Sequence, residues 1–113
     1  MSLYAVALIA HSWLRWFVLF LGVAVLTRIL RTWRGDKAAG VGLGFYRAFL
    51  TVLDVQVIVG LALYLRLSPV SRAAFADMGV AMGDSTLRFF AVEHFFGMAV
   101  AMMSAHVGYV RMR

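Results

Sequence analysis

Several ionisable side chains interrupt otherwise apolar stretches of this 113-residue chain. Ionisable groups are costly in hydrocarbon, so within membrane segments they usually serve a function or pair with one another. Imidazoles bind metals, carboxylates accept protons, and a guanidinium pairs with anions. The set, in chain order, is His11, Arg15, Asp54, Glu93 and His94, with the neutral Gln56 close to Asp54.

The composition indicates that these residues lie in membrane helices. Hydrophobic residues make up 64% of the chain and charged residues only 14%, against about 25% charged in an ordinary soluble domain. A membrane helix needs roughly 20 mostly apolar residues, and three stretches meet this, at about 3–27, 44–65 and 87–110. We therefore predict an all-α polytopic membrane protein, a single domain over 1–113 whose three transmembrane helices run up, down and up. A short interfacial helix over 73–82, and an N-cap for the third span at Asp84 or Ser85, are further predictions.

The charges at the ends of the spans predict the orientation. The second loop is nearly balanced, whereas the first loop and its edges carry an excess of basic residues: Arg28, Arg31, Arg34, Lys37 and Arg47, against the single acid Asp36. Because cytoplasmic loops are enriched in Lys and Arg, we place the first loop and the C-terminus in the cytoplasm. The N-terminus is then outside, and the expected location is a bacterial inner membrane.

The two histidines of the outer half could bind a metal. At about 1.5 Å per residue, His11 and His94 both lie roughly 12 Å below the outer ends of their helices. Gly22 shares the face of His11, and a seam of small or adaptable residues shares the face of His94: Gly97, Met98, Ala101, Ala105 and Gly108. Two level imidazoles indicate axial ligation of a b-type haem, with Arg88 near the outer surface to meet the propionates. The alternative is that the histidines only hydrogen-bond between helices and that the seam only packs helices.

The other polar residues predict helix contacts. Arg15 and Asp54 both fall roughly 18 Å from the outer face, so we predict an ion pair between them. Gln56 faces nearly the opposite way from Asp54, and two other helices cannot cover both sides of the second span. We therefore expect another membrane subunit, or a second copy bound through the second helix, on one side. For Glu93 three roles stay open: proton handling, a hydrogen bond to His11 or His94, or a second anion for Arg15.

Other classes of function lack the residues they need. The chain has no cysteine, which excludes disulfides, thiolate metal sites, iron–sulfur clusters and covalent attachment of a c-type haem. No nucleophile–base set or phosphate loop is present, so we do not expect an enzyme. The net charge of +6 sits at the membrane edges, and we expect lipid rather than nucleic acid as the partner.

Three short motifs carry a resemblance to a known group. They are HSWLRW at 11–16, DVQ at 54–56 and RFFAVEH at 88–94, and they resemble those of short bacterial membrane proteins known as cytochrome b-like. The resemblance implies a haem held by histidine. It also implies a proline after the Glu-His pair, where this chain has Phe95, and a fourth membrane helix following a basic loop that would begin near Arg113. Without that helix, one side of the second span would be left for a partner.

Two readings of function follow. The first is a small haem b subunit of a respiratory or photosynthetic electron-transfer complex, and the second is a cofactor-free structural subunit of a larger membrane complex. A variant of the second has His94 or His106 holding the magnesium of a chlorophyll-type pigment. An ion transporter is disfavoured, because the spans show no repeat and no broken helix.

Overall fold

The computed structural model describes residues 1–36, 40 and 42–113. Within this part of the chain 90% of the structure is helical and no strand is present, which confirms the all-α prediction. Three helices are long and apolar enough to cross a membrane. Lys37, which the topology argument used, lies outside the described residues. In chain order the helices are α1 (Leu3–Trp33), α2 (Leu43–Leu67), α3 (Pro69–Ala76), α4 (Met78–Gly83) and α5 (Ser85–Met112).

The first helix is longer than its apolar stretch. Ser2 caps it by accepting a hydrogen bond from the Ala5 amide, at 3.1 Å, and it runs to Trp33 rather than ending near position 27. The apolar run stops at Arg28, but no helix breaker follows until Gly35, whose φ is +90°. Position 27 is therefore the end of the apolar stretch and not the end of the helix. The helix continues to Trp33 as a basic extension.

The outer ends of α2 and α5 each contain a π-helical turn, which the sequence analysis did not predict. The turn in α2 covers Leu63–Leu67, and the turn in α5 covers Phe89–Glu93. The predicted N-cap is confirmed, because the Asp84 carboxylate accepts from the Thr86 and Leu87 amides, both at 3.0 Å. A π turn adds one residue to a helical turn and so rotates every later side chain relative to the earlier ones.

The segment between the second and third spans forms two short helices rather than the one predicted over 73–82. Asp77 separates them, since its extended backbone ends α3 and its side chain caps α4 by accepting from the Val80 amide at 3.1 Å. Ala74 and Ala81 are fully buried against Ala91 of α5. This small cluster fixes the outer segment to the start of the third span.

Helix α2 lies at the centre of the three spans. Its Tyr46 and Leu50 pack with Val25 of α1 in a small buried core, and it also packs along α5. Over the described residues, the main chains of α1 and α5 make scarcely any close approach to each other. The two outer spans are thus joined chiefly through α2.

Most large apolar side chains point outward. Phe20 is 73% exposed, Phe96 68% and Trp13 65%, which is far more than a soluble protein of this size tolerates. Together with the length of the three spans, this surface identifies a membrane protein in contact with lipid.

Candidate functional site

The structure brings His11 and His94 together. Their ring centroids lie 6.3 Å apart and the ring planes are at 89°. Because α1 and α5 start at the same side of the bundle and both histidines lie about two and a half turns down, the depth argument predicts this approach. The side chains meet over α2, although their helices hardly touch.

Helix α2 positions the His11 ring. Gly60 lies directly beneath it, and a Cβ atom at that position would come within 3.0 Å of the His11 Cε1 atom. The Gln56 amide Nε2 donates to the His11 carbonyl oxygen at 2.9 Å. The ring is therefore confined by a glycine that leaves space for it and by a polar side chain that holds its main chain.

Two buried polar atoms beside this ring have no hydrogen-bond partner. They are the Nδ1 atom of His11 and the Oε1 atom of Gln56. Most buried polar atoms in native proteins are paired, and an unpaired imidazole nitrogen is the atom that a metal or a donor group would use. The described chain thus leaves one buried acceptor or donor atom unsatisfied on His11 and one on Gln56.

Aromatic rings surround His94 on its outer side. Phe89 lies 5.6 Å from it with the planes at 30°, and Phe90 lies 6.1 Å away at 69°. Below His94 the surface is open, since a Cβ on Gly97 would meet nothing within 4 Å and Met98 is 45% exposed. A flat apolar group has access to His94 from this side.

The inner end of the predicted seam packs against α2. Gly108 lies against α2, where a Cβ would come within 2.6 Å of the Tyr46 hydroxyl, and that hydroxyl donates to the Ala105 carbonyl at 2.8 Å. Gly22, on the face of His11, is covered in the same way by Phe49 at 3.2 Å. The outer part of the seam is uncovered, since Gly97, Met98 and Ala101 are all exposed.

His11 and His94 are the two residues that would hold the iron of a haem, if one is bound. Two imidazoles that bind one metal ion through nitrogens at about 2 Å each have ring centres roughly 6 Å apart, close to the 6.3 Å observed. Among the described residues, no group of three or more His, Cys, Asp or Glu could hold a metal ion. A metal at this pair would take its other ligands from outside the described residues, and a porphyrin would supply four of them.

Arg88 is not free for a propionate in this structure. Its Nε donates to Glu93 Oε1 at 2.8 Å, and one of its terminal nitrogens lies 3.4 Å from the Met82 carbonyl. Glu93 adopts none of the three roles left open for it. It pairs with Arg88, one turn away on the same helix, and both side chains are about half exposed. In the described chain the guanidinium of Arg88 is thus already paired with an anion on its own helix, and its contact with a propionate stays a prediction.

The predicted ion pair between Arg15 and Asp54 is not formed. The Asp54 Oδ1 atom instead lies 2.7 Å from His106 Nε2, an interaction between α2 and α5. Successive residues turn by about 100°, so Asp54 points almost opposite to Gln56, which faces α1. Depth placed Arg15 and Asp54 at one level, but helix rotation separates them.

Sequence reasoning missed the role of His106. Its bond to Asp54 depends on side-chain direction, because helical side chains lean toward the N-terminus of their own helix. Since α2 and α5 are antiparallel, the Asp54 and His106 side chains lean toward each other and close the gap. That rule is the signal that would have found the pair.

The Arg15 side chain contacts an aromatic ring. Its Cζ lies 5.2 Å from the centre of the Trp16 ring, and the residue is exposed. No carboxylate oxygen of the described residues lies within 4.0 Å of it. The guanidinium is therefore a cation in the middle of an apolar helix, and no described residue gives it an anionic partner.

Comparisons with protein-family models, with curated proteins and with solved structures found no match.

Proposed function

We propose that this chain is a small integral-membrane subunit that binds haem b through His11 and His94. In this proposal it serves electron transfer within a larger respiratory or photosynthetic complex of a bacterial inner membrane. The observation that carries it is the 6.3 Å separation of two imidazoles on different helices. A bound haem would supply reversible one-electron transfer at its iron.

The residues around the pair are suited to hold such a group. Gly60 leaves space for the His11 ring, and Gln56 fixes the His11 main chain. Phe89 and Phe90 limit the orientations of His94, and the uncovered surface at Gly97 gives a flat apolar group a place to lie. Rigid, dry surroundings keep axial ligands oriented and tune the potential of the iron.

An absorption spectrum tests the proposal. The full chain, produced in bacterial membranes with haem supplied, should show low-spin b-type bands that shift on reduction. His11→Ala and His94→Ala should each abolish those bands at equal protein yield. His106→Ala is the matched control, since His106 lies about 18 Å along α5 from His94, and it should keep them. A wild-type spectrum without haem absorbance would refute the haem site.

The orientation is part of the same proposal. We infer that the N-terminus is outside and that the first loop and the C-terminus are cytoplasmic. The basic residues at the inner end of α1 support this, because Arg28 and Arg31 follow the apolar part of the helix and cytoplasmic loops are enriched in such residues.

A second candidate is a cofactor-free structural subunit. Three polar side chains favour it, because each donates a hydrogen bond to a carbonyl on another helix: Tyr46 to Ala105, Tyr64 to Ala91 and Gln56 to His11. Such bonds are the usual use of polar groups between membrane helices. A chain that purifies without a chromophore and co-purifies with other membrane subunits would support this candidate. A pigment band that depends on His94 or His106 alone would instead identify a chlorophyll-type ligand.

A further inference from the structure

Two charges of this chain lie at one membrane depth and face different sides. Gly60 of α2 packs on His11 of α1. Arg15 lies one turn inward from His11, and Gln56 lies one turn inward from Gly60. Because α1 and α2 are antiparallel, Arg15 is level with Gln56 and within about 3 Å of the depth of Asp54. Arg15 and Asp54 are therefore level but not in contact.

Arg15 requires an anion from outside its own chain. It lies 12 residues from the start of α1 at Leu3 and 13 residues before Arg28, roughly 18–20 Å from either end of the apolar stretch. This is too far for the side chain to reach water by extending along the helix. Trp16 covers part of the guanidinium but accepts no strong hydrogen bonds from it, so its donors remain to be satisfied.

Asp54 has the complementary capacity. Its Oδ1 atom is held by His106, and its side chain is still 43% exposed. The other four acids of the chain are engaged elsewhere or lie nearer the surface: Asp36 with Arg31, Glu93 with Arg88, and Asp77 and Asp84 as helix caps. Asp54 is thus the one carboxylate of the chain at the depth of Arg15.

We propose that copies of this chain associate in the membrane through Arg15 of one copy and Asp54 of the next. Copies inserted in the same orientation keep their depths, so the two charges meet at one level. The guanidinium fork can donate to the carboxylate while His106 keeps its own bond to Oδ1. Because the two charges face different sides, the contact is heterologous, and it forms a ring or a row rather than a two-fold dimer.

Complementation between two variants tests this contact. Two differently tagged copies of the full chain are co-produced, and one tag is used to capture the other. When both copies carry Arg15→Gln, or both carry Asp54→Asn, capture should fall to background. When one copy carries Arg15→Gln and the other Asp54→Asn, one intact contact remains and capture should return. Arg88→Gln, an arginine at the outer surface, is the control and should leave capture unchanged.

Cysteine cross-linking gives an independent test that keeps both charges. The chain has no cysteine, so introduced ones report single positions. Leu19 follows Arg15 by one turn, Thr51 precedes Asp54 by about one turn, and both are exposed. In membranes, Leu19→Cys in one copy should form a disulfide with Thr51→Cys in another, whereas Leu19→Cys alone should not form a dimer.

The two tests decide the proposal between them. Wild-type capture at background, Arg15→Gln captured as well as wild type, or a mixture no better than either variant would each overturn it. If Arg15→Gln fails to accumulate, the cross-link decides alone, and its absence overturns the contact. The absorption spectrum of the same variants tests the haem site separately. If the variants lose capture but keep the haem bands, the contact between copies and the haem site are independent.

Discussion

Replacing Gly60 by alanine should disturb His11 in a way that a similar change elsewhere does not. In a helix interior, glycine to alanine usually stabilises by about 0.5–1 kcal/mol, since glycine loses more backbone entropy on folding. At Gly60 the new Cβ would come within 3.0 Å of the His11 Cε1 atom, closer than ordinary van der Waals contact. Overpacking of this kind costs about 1–3 kcal/mol, so we expect Gly60→Ala to be destabilising by about 1 kcal/mol net.

Gly97→Ala is the matched control on α5. A Cβ there would meet nothing within 4 Å, so the entropy term acts alone and the variant should be as stable as wild type or slightly more stable. Reversible unfolding in mixed detergent micelles, followed by helical circular dichroism, measures both changes in free energy of unfolding. Equal effects of Gly60→Ala and Gly97→Ala would refute the argument that α2 confines the His11 ring.

Three further predictions concern other parts of the chain. His106→Ala should destabilise the chain more than Asp54→Asn in the same unfolding assay, because the first leaves the Asp54 carboxylate without a partner in its own chain. An unpaired charge in the membrane costs about 2.5–3.5 kcal/mol on insertion scales, and the reverse order would contradict the pairing. Asp84→Ala should cost about 1 kcal/mol of unfolding free energy through the lost cap of α5, and an unchanged value would argue against capping. A reporter active only outside the cytoplasm should be active when fused at Met82, and an inactive fusion would overturn the orientation.

The sequence was a good guide to properties that depend on position along an axis. Hydropathy located all three spans, and counting residues from their outer ends placed His11 and His94 at one depth. The carboxylate of Asp84 was recognised as a cap because it immediately precedes an apolar run. Each of these inferences needs only the rise per residue of a helix or the chemistry of a helix end.

The sequence was a poor guide to rotation and side-chain direction. The prediction of an Arg15–Asp54 ion pair compared only the depths of the two residues. It did not ask which neighbouring helix each side chain faces, and Asp54 faces α5 rather than α1. The π turn at Phe89–Glu93 carries no clear sequence signature, yet it shifts the face of every residue that follows. The bond between Asp54 and His106 depends on two side chains that lean toward each other, which an axial count overlooks.

The position of α2 between two spans that scarcely touch has a mechanical consequence. Helices α1 and α5 are both attached to α2, and their His11 and His94 side chains meet toward the outer ends of the two helices. Helices adjust their tilt to the thickness of the surrounding bilayer. The thickness of the bilayer and the angle between α1 and α5 are therefore linked. A group that bridges the two imidazoles would fix that angle and stabilise the chain by an amount that grows with the logarithm of its concentration divided by its Kd. Bilayers of different thickness should then strengthen or weaken the binding of such a group. The length of the lipid chains would thus determine how much of the protein has the group bound.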